Sequence, residues 1–171
     1  MGQTRPVIRS FLRLAASSGG VLLAYLLVPL DGDLAPVIAV AVLVGMLGLM
    51  IPLTVREARR IAVVDQPIVH AAQALITLLT LLVVGFATVH YTIETAYPDE
   101  LAGLETKLDG LYFSTTVATT VGFGDITPVG QVARAVVTVQ MIFDLLFIGV
   151  AVRILGTSLR MQQATRSAPI P

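Results

Sequence analysis

Four apolar runs govern what this 171-residue chain can become: about Phe11–Leu30, Leu34–Val55, Ile68–Tyr91 and Val132–Leu155. Each is close to the roughly 20 helical residues needed to cross ~30 Å of hydrocarbon. Composition supports a membrane solution, since 56% of residues are hydrophobic and only 13% charged. Those proportions exclude an ordinary soluble domain. Zero net charge excludes a nucleic-acid binder driven by bulk electrostatics, and the lack of cysteine excludes disulfides and thiolate metal sites. The expected fold is an all-α membrane protein with four transmembrane helices.

Basic residues orient it. Arg5, Arg9 and Arg13 precede the first run, Arg56, Arg59 and Arg60 follow the second, and Arg153, Arg160 and Arg166 end the fourth. Nine of eleven basic residues thus lie on one side, with Lys107 and Arg134 opposite. The positive-inside rule makes that side cytoplasmic, so both termini are expected inside a multi-pass cell-membrane protein. The N-terminal arginines, spaced by four, suit anionic lipid headgroups. No clear small-x-small cleavage site follows the first run, which reads as a retained helix rather than a signal peptide. The opposite side carries Asp31, Asp33, Glu94, Asp99, Glu100, Glu105, Asp109 and Asp125, an acidic mouth that would concentrate cations.

Between the third and fourth runs lies Thr119-Thr120-Val121-Gly122-Phe123-Gly124-Asp125. Glycines alternating with side-chain-bearing residues let successive carbonyls point the same way, because glycine enters the left-handed region at little steric cost. A ladder of such oxygens, with the Thr120 hydroxyl as a further rung, replaces the water around a dehydrated cation once other copies complete the ring. Before it, Leu108–Thr119 reads as a helix about 12 residues long with Asp109 as N-cap, too short to cross a bilayer and suited to a re-entrant position.

The segment resembles the selectivity filter of potassium channels, usually written T-V-G-Y-G-D, and the helix–filter–helix order resembles their pore domain over roughly residues 68–157. The resemblance implies potassium coordination by Thr120, Val121, Gly122 and Phe123, with Gly124 freeing the turn at the outer exit. It implies filter support from Thr119, Asp125, Tyr112 and Phe113, and a homotetramer, because one filter per chain is a quarter of a pore. Phe123 stands where the family has tyrosine, so one hydroxyl brace is absent, and Tyr112-Phe113 stand where many relatives carry tryptophans. Both departures bear on filter rigidity rather than on potassium selectivity. The domain reading is 1–66 for two N-terminal helices and a cytoplasmic linker, 67–157 for the pore domain, and 158–171 for a short cytoplasmic tail.

Asp144 is the least expected residue of the fourth run, because an ionisable group mid-span costs several kcal/mol unless it faces water, an ion or a partner. Counting by four places Gln140, Asp144, Ile148, Val152 and Gly156 on one stripe, read as a cavity lining of Gln140 and Asp144 that narrows towards the cytoplasm. Four copies of Asp144 would form an acidic ring that attracts Mg2+ or polyamines. Asp144 precedes Gly149 by five positions, similar to the spacing in inward rectifiers, and counted from Pro128 it stands where many channels have a hinge glycine. Gly149, Val152 and Gly156 are the candidate gate or hinge positions.

The first two runs hold no interior charge, which excludes a steep arginine-based voltage sensor. Arg56–Ile61 reads as a surface helix or a plain basic linker, and His70 and His90 as interfacial histidines near opposite ends of the third run. No cofactor other than the permeant K+ is expected. Paired carboxylates and nucleophile constellations are lacking, which argues against an enzyme. The expected function is passive potassium conduction; the alternatives are a non-selective cation channel and a subunit of a potassium-uptake transporter.

Overall fold

The computed structural model describes residues 18–27, 30, a scatter of positions between 37 and 48, and 67–167, with side chains in the last block from 71 to 156. The arginines before residue 17, Arg56–Ile61, the His70 side chain and most of the run Leu34–Val55 lie outside the described residues. The elements are α1 (Ser18–Leu27), α2 (Pro67–Ala96), β1 (Leu101–Ala102), α3 (Lys107–Ala118), β2 (Thr127–Pro128) and α4 (Gln131–Ser167).

Among the described residues, two helical stretches are long and apolar enough to cross a membrane, Ala71–Ala96 and Gln131–Gly156. They run antiparallel. Ala71 and Leu75 meet Ile154 at one end, Leu82 and Phe86 meet Phe143 midway, and Val89 and Ile93 pack with Ala133 and Val137 at the other. Ala71, Ala87 and Ala133 are wholly buried. Small side chains at helix contacts let backbones approach, which matters because lipid tails give apolar helices little reason to associate. The α4 helix continues without a break through 158–167, the segment read as a tail.

Helix α3 starts differently from expectation. Thr106, not Asp109, is its N-cap: the Thr106 side chain accepts from Asp109 N, and the Asp109 carboxylate accepts from the Thr106 backbone N–H. Asp109 therefore sits at the third helical position of a reciprocal capping box. Its Oδ2 also accepts from Glu105 N. Helix α1 docks at this same end, where the Tyr25 hydroxyl donates to the Lys107 carbonyl at 2.7 Å and Lys107 Nζ donates to the Leu26 carbonyl.

The otherwise all-α chain carries one two-residue antiparallel ladder, Leu101 opposite Pro128 and Ala102 opposite Thr127. Around it, acidic side chains do structural work. The Glu94 carboxylate accepts from the N–H groups of Asp99 and Leu101. Glu100 Oε2 accepts from Ala133 N at 2.8 Å, satisfying one of the free donors at the start of α4. The result clips the loop after α2 against the chain that leaves residues 119–125.

Candidate functional site

The seven residues 119–125 follow the last turn of α3, and their base is tied to it. Thr120 N donates to Val117 O at 2.9 Å, while Thr116 O accepts from both Val121 N at 3.0 Å and Gly122 N at 3.3 Å. Above these anchors the backbone alternates in handedness: Thr120, Gly122 and Gly124 have φ of 60°, 51° and 79°, whereas Val121 and Phe123 are not in the positive region. Alternating left- and right-handed residues is the backbone condition under which neighbouring carbonyls face one side rather than opposite sides. Thr120 is the surprise, since a β-branched residue at positive φ costs of order 1–3 kcal/mol. The three amide bonds to α3 are the groups that hold it there.

All seven residues are exposed in the single chain, Val121 by 55% and Phe123 by 70%. A Cβ built on Gly122 or Gly124 meets nothing within 4 Å. The loop is thus supported from behind and open in front. Support at its outer end comes from Tyr112, whose hydroxyl donates to Asp125 Oδ2 at 2.7 Å while its ring stacks on Phe123 with centroids 6.3 Å apart and planes 4° from parallel. The hydrogen bond to Asp125, partial burial and the nearby carboxylate all raise the Tyr112 pKa. Gly103, at φ +86°, lies where a Cβ would come within 2.8 Å of the Asp125 carbonyl, so the turn after β1 is built to touch the loop exit.

Of the residues singled out from sequence, 119–125 and Tyr112 come together in this loop. Phe113 is buried behind it, edge-on to His90 at 5.1 Å between ring centroids. Gln140 and Asp144 correct the expected cavity lining: they are 0% and 4% exposed and lie inside the subunit. The buried stripe of α4 runs Ala133, Val137, Gln140 and Asp144, then through half-buried Phe147 and Ala151 to Ile154, mixing steps of three and four. A stripe counted only by fours drifts by about 40° at each step. Ile148 and Val152, 42% and 66% exposed, have therefore rotated to the open side of the helix. Gly149 is exposed and Gly156 half-buried.

His90 is likewise not interfacial. It is wholly buried, with Nε2 2.7 Å from Gln140 Oε1, and Gln140 Nε2 donates in turn to the Ser114 carbonyl at 3.0 Å. Both Asp144 oxygens are buried, and among the described residues neither has a hydrogen bond of ordinary geometry, Gln140 being the polar side chain that bears on the carboxylate. Ser114 and Thr116 had no signal in the sequence beyond being hydroxyl residues in a short helix. Glu94 and Glu100 were legible only as acidic loop residues, though each has a bonding role.

This arrangement provides backbone oxygens, not a reacting side chain, and among the described residues no cluster of His, Asp or Glu could hold a metal ion by side chains. A family model described as "Ion channel" matches residues 76–161, just over half of the chain, and spans most of α2, the loop and most of α4. No curated protein and no solved structure matches the chain. The chain belongs to this ion channel family. It is a membrane protein that conducts ions passively, and not an enzyme.

Proposed function

We propose that the chain is a subunit of a homotetrameric potassium channel, in which four copies of residues 119–125 surround one axis. The observation that carries this reading is the alternation of positive φ at Thr120, Gly122 and Gly124 in a loop exposed along its whole length. Carbonyls of Thr120, Val121, Gly122 and Phe123, with the Thr120 hydroxyl, form successive sites that replace hydration water, and neighbouring ions repel one another onward. Gly124 releases the backbone at the outer exit. Thr119, Asp125, Tyr112 and Phe113 support the ladder, Tyr112 supplying through Asp125 a hydroxyl brace that Phe123 lacks.

The tetramer is supported by the uneven burial of the two long helices. In a single chain α2 is covered over much of its surface while α4 leaves Met141, Ile142, Leu145, Leu146 and Val152 more than half exposed. A fourfold ring gives such residues two surfaces to meet, neighbouring subunits and the lumen. In this reading the arginine-rich side is cytoplasmic, both termini lie inside, and anionic lipids meet the arginines. Gly149, on the exposed side near Val152, is the hinge candidate that the placement of α4 favours.

Planar-bilayer recording of the purified protein in opposed potassium and sodium gradients tests the proposal. A reversal potential that tracks potassium is the expected result. A reversal near zero would replace it with the non-selective cation channel, Phe123 then marking a permissive loop.

A further inference from the structure

Two wholly buried polar side chains, His90 on α2 and Gln140 on α4, meet each other and the backbone carbonyl of buried Ser114 on α3. The chemistry of their bonds fixes a direction. The Ser114 carbonyl only accepts, so the Gln140 amide nitrogen must face it. That leaves Gln140 Oε1, also only an acceptor, towards the imidazole, so His90 Nε2 carries the proton. His90 is wedged between Phe86, stacked at 6.2 Å, and Phe113 at 5.1 Å. The donor chain runs from His90 to Gln140 to the Ser114 carbonyl. Two residues further along α3, the Thr116 carbonyl holds the N–H groups of Val121 and Gly122.

We propose that His90 and Gln140 are positioning residues for the conducting loop: they bond α4 and α2 to the last turns of α3 and so set where the Thr116 carbonyl holds Val121 and Gly122. The proposal rests on the reading of 119–125 as the ion path. Its physical basis is that a bonded link between packed helices has a fixed length and direction, whereas apolar contacts between them slide. A shift of α4 is then passed to the base of the loop rather than absorbed at the helix contact.

The test combines two readouts on His90→Gln, His90→Leu, Gln140→Leu and a packing control, Leu75→Ala, at the far end of the α2–α4 contact. One readout is the permeability ratio of rubidium or sodium to potassium from single-channel reversal potentials, which is independent of how much protein folds. The other is hydrogen exchange of the Val121 and Gly122 amides. His90→Gln, whose amide nitrogen reaches about as far as imidazole Nε2, should behave as wild type. Both leucine variants should shift the ratio and speed exchange by about three- to tenfold, the range implied by one net hydrogen bond. Leu75→Ala should lower thermal stability and move neither readout. Should His90→Leu fail to assemble, His90→Asn, too short to reach Gln140, takes its place. Unchanged ratios and exchange in the leucine variants, equal changes in Leu75→Ala, or a His90→Gln as impaired as His90→Leu would each overturn the proposal. Absence of potassium selectivity in the wild type would instead overturn the filter reading, and exchange at Val121 and Gly122 would still decide whether the link positions the loop.

Discussion

Asp144 sets the sharpest problem at the scale of the residue. Its carboxylate is buried on the α2-facing stripe, and Gln140, one turn earlier, already bonds His90 and the Ser114 carbonyl, leaving at most one amide N–H for it. A buried charge so weakly compensated is destabilising, and removing the charge while keeping the shape relieves it. Asp144→Asn is therefore expected to raise the thermal midpoint of the purified protein, by an amount equivalent to about 1–3 kcal/mol. Internal magnesium should act equally on variant and wild type in recordings, because the side chain is buried within the subunit, away from the proposed ion path. Tyr112 presents the opposite case, a group whose one bond matters and whose environment does not. Tyr112→Phe keeps the stack on Phe123 and deletes the bond to Asp125, so macroscopic current should decay faster under sustained activation while the reversal potential stays. The sign of the pH effect follows from the raised tyrosine pKa. The neutral hydroxyl is the donor, so the brace is complete below the usual tyrosine value near 10 and is lost only as pH rises past the higher folded value. Current decay in the wild type should thus be flat up to about pH 10. The glycine alternation of the loop was legible in sequence because only glycine takes positive φ at little cost. Thr120 was not, since its left-handed backbone is imposed by bonds to α3 that a list of residues does not display.

Elements were legible to the degree that their signals are local. The apolar lengths of α2 and α4 mark both helices, and the polar, short α3 stands out between them because it cannot cross. At the first turn of α3 the cap lies three residues before the aspartate that the sequence favours. Aspartate is among the best N-cap residues, yet Thr106 and Asp109 are three apart and satisfy each other's backbone donors, a pairing that single-residue preference does not rank. Partial burial raises the Asp109 pKa, but bonds from the Thr106 hydroxyl and from the backbone of Thr106 and Glu105 outweigh it, and the net shift is downward. A depressed carboxylate pKa stabilises above its unfolded value, and that stability is lost as pH falls through the folded one. Asp109→Ala should cost about 1 kcal/mol at neutral pH, read as a lower unfolding midpoint. The gap between variant and wild type should narrow as pH falls below the usual aspartate value and close only once the depressed folded value is passed. Tertiary position was the illegible part: the inward stripe of α4 depends on steps of three and four that only the partner helix selects, and the His90–Gln140–Ser114 link joins residues 50 and 26 positions apart.

For the whole molecule the decisive matter is how many copies close one pathway. A single chain exposes its entire 119–125 loop and much of α4, surfaces that demand company in a membrane protein whose backbone groups must be satisfied or wetted. Gly122 provides a counting device. Its φ of +51° disfavours any β-branched residue, yet a Cβ there meets nothing within 4 Å in the single chain. Gly122→Val should leave the subunit folded and spoil only the shared path, so the variant alone should assemble and be silent. Co-expressed with wild type in equal amounts, it enters every position of the ring at random. If four subunits share one pathway and one lesion suffices, about one-sixteenth of assemblies remain intact; a two-subunit pathway leaves about one-quarter, and a self-sufficient subunit about one-half. Rubidium tracer flux from reconstituted vesicles, normalised to total protein, separates these fractions. A residual flux near one-sixteenth supports four loops around one axis, and a residue near one-half would mean that the exposed loop is completed by something other than copies of this chain.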